Sequence, residues 1–338
     1  MQLRRKLTQG INDIKKAFER PVKKVCIFPG QNSHSFGMGS GIPKNILEDL
    51  YRWTAEALGD NLTSFLFYLI SADAAKVQGE EKQKLQKELN QNVQLTTFIT
   101  SCGLYLKDQE ETGIVPDYVA GPSLGLFAAL FAAKVSPYSQ LVKIVKIRQS
   151  SMNDASILFN GGMTAVLGEK TIKEGFLKRT NVKIANFNTP VQTILTGLKE
   201  QLPVVELRLK RRGFKIVPLE EVIVANHHPD YMILASVALD YVLNLPDTII
   251  NTPEIPLILD TTGKPENDPH KIRRAIVKQP ISQTHWRWVI EFFIKQKISK
   301  SSITEIGPGK KLTKMLNDFP DFLKLEETME KIPVLDTK

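Results

Sequence analysis

The sequence predicts an α/β protein in which a large domain with a mostly parallel sheet carries a small ferredoxin-like insertion. Short apolar runs that end in turn residues, "KKVCIFPGQ" and "PDYVAGPSLG", alternate with stretches of helical periodicity, "NILEDLYRWTAEALG", "NVQLTTFITSCGLYLKDQEE" and "LVKIVKIRQSSMNDAS". That is the rhythm of strands joined by helical crossovers. From about residue 157 the rhythm tightens into "GGMTAVLG", "TIKEGFLKR", "VKIANFN", "VQTILTG", "EQLPVVELRLKRRG" and "FKIVPL", short strands with two helices between them, in the β-α-β-β-α-β order of a ferredoxin-like unit. The longer pattern then resumes, with a strand at "IPLILDTTGKP" and a last strand and turn at "ITEIGPGKKLTKML".

These changes of texture divide the 338 residues into an extension over 1–23, a discontinuous large domain over 24–156 and 221–328, the small domain over 157–220 and a tail over 329–338. Hydrophobic content of 42% and charged content of 24% suit an ordinary folded chain. No apolar run approaches the roughly 20 residues that cross a bilayer, so no membrane span is expected. Cys26 and Cys102 lie in apolar surroundings without metal-ligand spacing and read as buried thiols in a reducing compartment.

A net charge of +9 suits nucleic acid, an anionic membrane face, or an acidic or phosphorylated partner. The chain has no nucleic-acid motif and no aromatic-basic interleaving, which disfavours nucleic acid, and an acidic partner or phosphate-bearing ligand is the favoured reading. In residues 1–24, Leu3, Leu7, Ile11, Ile14 and Phe18 recur at helical spacing among Arg4, Arg5, Lys6, Lys15, Lys16 and Arg20. This basic amphipathic pattern resembles a mitochondrial presequence; a helix docked on the body of a cytoplasmic protein is the alternative.

The stretch "VAGPSLGLFAALFAAKV" holds the pentad Gly121-Pro122-Ser123-Leu124-Gly125 between a strand pattern and an alanine-rich helix pattern. A strand, a sharp turn and a helix would lift the Ser123 hydroxyl above the sheet as a nucleophile elbow, the device of α/β-hydrolase-like folds. Flanking glycines permit the close backbone passage such a turn requires. Ser123, Asp260 and His285 also run in the Ser-Asp-His order of hydrolases, with Asp260 at a strand end. Taken singly, His227 and His228 read as structural histidines, Arg148 as a solvated residue of a Lys-rich helix and "FPGQ" as a strand-ending turn.

Six ordered stretches, "FPGQNSHSFGMG", "GPSLG", "KIRQSSM", "NFNTPVQTILTG", "ANHHPDYM" and "EIGPGKKL", resemble the malonyl-CoA:acyl carrier protein transacylase family over roughly residues 24 to 325. "KIRQSSMNDAS" and the N-terminal extension look most like its mitochondrial branch. The resemblance implies transfer of malonyl from malonyl-CoA to the phosphopantetheine thiol of acyl carrier protein through an acyl-serine, with no bound cofactor or metal. By the same resemblance Ser123 is the nucleophile and His228, four residues before Met232, its base. His227 then lines the pocket, and Gln31 with the Leu124 N–H forms the oxyanion hole. Arg148 matches the arginine that receives the malonyl carboxylate, while Gln94, Asn186 and Asn188 match positions that line or brace the site.

The chain departs from the family at Pro122, where histidine is usual, and at Leu126, where glutamate is usual. Both departures bear on acyl selectivity and turnover, and leave a carrier-binding scaffold without activity, or a Ser-Asp-His hydrolase, as alternatives. Arg211 and Arg212 in "LRLKRRGFK", with Lys310 and Lys311 in "GPGKK", are candidates for steering an acidic carrier protein. A monomer is expected.

Overall fold

The computed structural model describes residues 24–322 except 32, 74, 75, 170, 171, 173 and 221. The N-terminal amphipathic pattern and the 329–338 tail lie outside the described residues. The strands within them are β1 Val25–Ile27, β2 Tyr118–Ala120, β3 Gly161–Leu167, β4 Lys183–Thr189, β5 Gln192–Leu198, β6 Lys215–Pro218, β7 Leu257–Leu259, β8 Lys264–Glu266 and β9 Ile303–Glu305.

Five of these strands form one sheet in the order β8-β7-β2-β1-β9. β1 pairs parallel with β2 and β9, and β2 parallel with β7. β8 returns antiparallel at the edge, so "IPLILDTTGKP" is a hairpin turning at Gly263 rather than the single strand expected. Central parallel strands must be covered on both faces, and β1 shows how alternation achieves it. Cys26 and Phe28 enter one apolar cluster with Val119, Leu257 and Leu259, whereas Val25 and Ile27 enter another with Ala120, Ile258, Trp286 and Phe293.

Residues of the helices Lys44–Leu58, Asp60–Ser71, Val93–Thr112, Gly125–Ala132 and Tyr138–Leu158 fill the first cluster. The helices Trp286–Lys295 and Lys311–Met315 close the second. Both thiols are free and buried, and burial pushes Cys26 up to about 12, so neither is a ready thiolate.

The second sheet has the order β4-β5-β3-β6 with every pair antiparallel, the ferredoxin-like arrangement. Helix Leu202–Lys210 covers it through Val205 and Leu209, packed with Val166, Ile184 and Leu195. Where a first helix was expected at "TIKEGFLKR", the described residues form only a 3-10 turn, Glu174–Leu177. Gly175 inside that turn weakens helix propensity. A bridge between Asn186 and Thr284, with Phe187 N–H donating to Thr284 O at 2.8 Å, seats β4 beside the start of helix Trp286–Lys295.

Candidate active site

The carboxyl ends of the parallel strands bring "FPGQ", the serine pentad, Asp260 and the "GPG" turn together, where ligands of open α/β sheets are bound. Ser123 stands at φ 53, left-handed backbone that a serine adopts only under constraint. The two glycines of the pentad make that turn possible. A Cβ on Gly121 would collide with the Gly125 main chain, and one on Gly125 with the Phe28 carbonyl. Gly307 lies against the Pro29 ring, so the "GPG" turn abuts "FPGQ".

Pro122 leaves the elbow intact. Its carbonyl accepts the Gly125 N–H at 2.9 Å, and no elbow contact requires the N–H that proline lacks. Leu126 is buried in the first apolar cluster. The Leu124 N–H, at the head of helix Gly125–Ala132, donates to no carbonyl among the described residues. It is therefore free to stabilise a developing oxyanion, aided by the helix dipole.

The histidine facing the serine is His227 and not His228, the ring expected there. His227 Nε2 lies 3.0 Å from Ser123 Oγ. Its Nδ1 faces the carbonyls of Gln279 and Ser282, each at 3.0 Å. Carbonyls only accept, so Nδ1 carries the proton and Nε2 is left as the acceptor for the serine hydroxyl. Burial and the nearby Arg148 charge drive His227 down to about 4, against the two carbonyls, which raise it. It is neutral at ordinary pH.

His228 points elsewhere. Its Nε2–H donates to Asn181 O at 2.6 Å, its Nδ1 accepts the Asp230 N–H at 3.2 Å, and its ring stacks on Tyr231. The reason is local: His227 takes left-handed backbone at φ 63, which sends successive rings to different sides. The spacing to Met232 tracks the turn that follows, in which the Met232 N–H bonds His228 O at 3.0 Å. It does not track the ring that meets the serine.

Arg148, expected alone to be solvated, is 0% exposed. Its Nη2–H donates to Ser123 Oγ at 3.1 Å and to Gln279 Oε1 at 2.9 Å, its Nε–H to Gln279 Oε1 at 3.3 Å, and its Nη1–H to Gln94 Oε1. Burial pulls it down to about 10, offset in part by Asp260, and it stays charged at neutral pH. Ser123 Oγ thus gives its hydrogen to a neutral imidazole and receives one from a buried cation. Gln94, expected to line the site, lies against Arg148.

Gln279 was not visible in sequence. It reads as a loop residue in "KQPISQ", yet it is 1% exposed, with its side chain on Arg148 and its carbonyl on His227. Only the fold brings the end of helix Pro269–Lys278 to this point.

The remaining candidates fall into three groups. Gln31 is half-buried in the turn after β1, next to a glycine whose Cβ would lie 3.1 Å from Pro122 O. Asn186 lies in the bridge to Thr284, and the Asn188 amide donates to Gln192 in the adjoining hairpin at 2.8 Å. Arg211, Arg212, Lys310 and Lys311 are exposed, with Arg212 over the Phe176 ring at 4.4 Å.

The Ser-Asp-His order of a hydrolase does not assemble. Asp260 accepts the Ser123 main-chain N–H at 2.7 Å instead of a histidine ring, and the His285 ring stacks between Phe187 and Trp288.

No protein-family model matches the chain. The malonyl CoA-acyl carrier protein transacylase of Salmonella typhimurium is 28% identical over 306 residues, 88% of this chain and 93% of that protein. An acyl carrier protein S-malonyltransferase of Vibrio cholerae superposes with a TM-score of 0.72 at 26% identity, covering 88% of this chain and 93% of the other. A malonyl-transacylase solved with a type II PKS acyl-carrier protein gives a TM-score of 0.73 at 25% identity, over 90% of this chain and 99% of that one. Over about nine-tenths of its length the chain is thus similar, in sequence and in fold, to malonyl CoA-acyl carrier protein transacylases.

Proposed function

We infer that the chain transfers malonyl from malonyl-CoA to the phosphopantetheine thiol of an acyl carrier protein, in service of fatty acid synthesis. The observation that carries this reading is the pair of contacts on one hydroxyl: a neutral imidazole at 3.0 Å and a buried guanidinium at 3.1 Å. The first activates a nucleophile. The second puts a cation beside whatever acyl group the oxygen comes to bear, which suits an acyl chain ending in carboxylate.

In the first half-reaction Ser123 Oγ attacks the thioester carbonyl as its proton passes to His227 Nε2. The Leu124 N–H and the Gln31 amide receive the oxyanion. The C–S bond then breaks, and the departing CoA sulfur takes the proton from the imidazolium. Once Oγ is acylated, Arg148 releases that contact and turns the freed Nη2–H, with its unused Nη1–H, to the malonyl carboxylate. In the second half-reaction the carrier thiol gives its proton to His227 and attacks the ester, and Ser123 leaves as the hydroxyl. Every step is acid-base and acyl chemistry of the chain's own groups, so no cofactor is invoked.

Two further elements belong to this reading. Arg211, Arg212, Lys310 and Lys311 steer the acidic carrier by long-range attraction, and the basic amphipathic segment over 1–23 directs the protein to the mitochondrial matrix. Fusing that segment to a reporter and following import into isolated mitochondria tests the second.

The test of the function is to mix the protein with malonyl-CoA and holo carrier protein and weigh the carrier. The carrier should gain one malonyl group, and should not with Ser123→Ala. Free malonate accumulating without carrier would mean hydrolysis. No reaction would leave a scaffold.

A further inference from the structure

Arg148 is wholly buried, yet each side chain that accepts its hydrogen bonds is neutral: Gln94, Gln279 and Ser123. No carboxylate forms an ion pair with it among the described residues. A buried cation without any compensating charge is strongly disfavoured. The compensation stands one residue away. Asp260, at the carboxyl end of β7 and 1% exposed, accepts the Ser123 N–H on Oδ2 at 2.7 Å, while Arg148 holds the hydroxyl of the same serine. Ser123 is therefore gripped by an anion through its main chain and by a cation through its side chain. Asp260 Oδ1 has no hydrogen-bond partner among the described residues.

We propose that Asp260 is the resident counter-charge of Arg148 and, as a positioning residue on Ser123, sets how strongly the site prefers acyl groups with a free carboxylate over neutral ones. In the empty site the two charges balance without touching, so the guanidinium keeps displaceable neutral partners. A malonyl group on Ser123 adds a second negative charge. Its attraction to Arg148 is then opposed by Asp260, close by on the same residue. A site built only to maximise malonyl binding would leave out that anion. The two carbonyls on His227 Nδ1 already orient the base, so Asp260 serves the serine and the arginine and not the imidazole.

This inference rests on Ser123 being the acyl carrier, and the experiment separates the two. Loading of Ser123 by malonyl-CoA and by acetyl-CoA is followed by rapid-quench mass spectrometry in the wild type, Asp260→Asn and Asp260→Ser, with folding checked by circular dichroism. Wild type that takes no malonyl would overturn the reading of the function. If wild type loads, the ratio of malonyl to acetyl kcat/KM should rise roughly tenfold in Asp260→Asn, as expected for removing one like charge from a partly desolvated site. Asp260→Ser, which also loses the carboxylate, should raise the ratio in the same sense. A purely structural role would slow both acyl groups alike, and an unchanged or lower ratio overturns the proposal. So does failure of both neutral variants to fold, which would make the carboxylate a requirement of folding.

Discussion

His227 Nε2 meets Ser123 Oγ at 3.0 Å, and the opposite nitrogen of the same ring is fixed by the carbonyls of Gln279 and Ser282. The imidazole is thus set in one tautomer by the main chain, with no carboxylate behind it. A base oriented by neutral carbonyls is ready to accept a proton while it remains uncharged at rest. Burial makes this possible, since it disfavours the imidazolium.

The acid limb of serine loading follows from that environment. In the proposed mechanism His227 works deprotonated, and it is driven down to about 4 by burial and by Arg148. Loading should therefore hold as pH falls from 8 to 5 and fail only towards 4, whereas an unperturbed imidazole has lost half its base by about pH 6.5. A rate profile with its acid midpoint between 6 and 7 would contradict this environment.

Stability has opposing contributions in the same window. His227 lies below its unfolded value of 6.5, so the unfolded chain binds the proton first and stability is lost as pH falls from 6.5 towards about 4. Asp260 is raised by burial from 3.8 to about 6, so the folded chain binds its proton first and gains stability as pH falls through 6. His227→Gln removes only the first contribution. Its Tm relative to wild type should climb as pH drops from 6.5 to 4; a constant difference in Tm would contradict the linkage.

Gln279→Ala should weaken the hold on Arg148 while leaving the main-chain carbonyl that orients His227. A hydrogen bond to a charged group is worth about 1.5 to 3 kcal/mol, so malonyl-CoA kcat/KM should fall roughly tenfold to a hundredfold. Acetyl-CoA loading should fall less. Equal losses for the two thioesters would mean that Gln279 only supports the fold.

Much of this was legible in the sequence, and what was not has physical causes. The parallel sheet showed because its buried strands are short apolar runs closed by Pro, Gly or Asp, as at Phe28-Pro29-Gly30 and Asp260. The elbow showed because only glycine fits at 121 and 125. The choice between His227 and His228 did not show, because it depends on a single φ angle in the turn that motif spacing does not encode. Gln279 was hidden because its role comes from a carbonyl and from burial in the fold, neither of which residue type reveals. Taken singly, Arg148 looked solvated, and only the family resemblance pointed to it, because the lysines around it mark the outer face of a helix whose inner face enters the site.

Gly125→Ala is the sharpest test of the elbow as a packing element. Its Cβ would collide with the Phe28 carbonyl, main chain that cannot swing aside. Backbone strain and overpacking together should cost more than about 3 kcal/mol, beyond the range of ordinary surface substitutions. A thermal melt or the yield of soluble protein reports it, and a variant with wild-type Tm would mean the turn is looser than described.

Charge reversal at Arg211 and Arg212 separates carrier docking from chemistry. Both side chains are exposed on the small sheet's helix side. Arg211→Glu with Arg212→Glu should slow transfer to the carrier at low salt and flatten its salt dependence, while malonyl-CoA still loads Ser123 at the wild-type rate. An unchanged carrier rate at low salt would dismiss this patch.

The most direct measurement is rapid-quench intact mass, with peptide mapping, after mixing malonyl-CoA with wild type, Ser123→Ala, His227→Ala and His228→Ala. Wild type should carry one malonyl group on Ser123, and Ser123→Ala none. His227→Ala should load roughly 10² to 10⁴ times more slowly, the usual worth of a positioned general base. His228→Ala, if folded, should keep most of the loading rate and lose stability, because it gives up the Asn181 contact and the Tyr231 stack. Malonyl on another residue, or loading that depends on His228 and survives loss of His227, would contradict the assignment of Ser123 and His227 as the reacting pair.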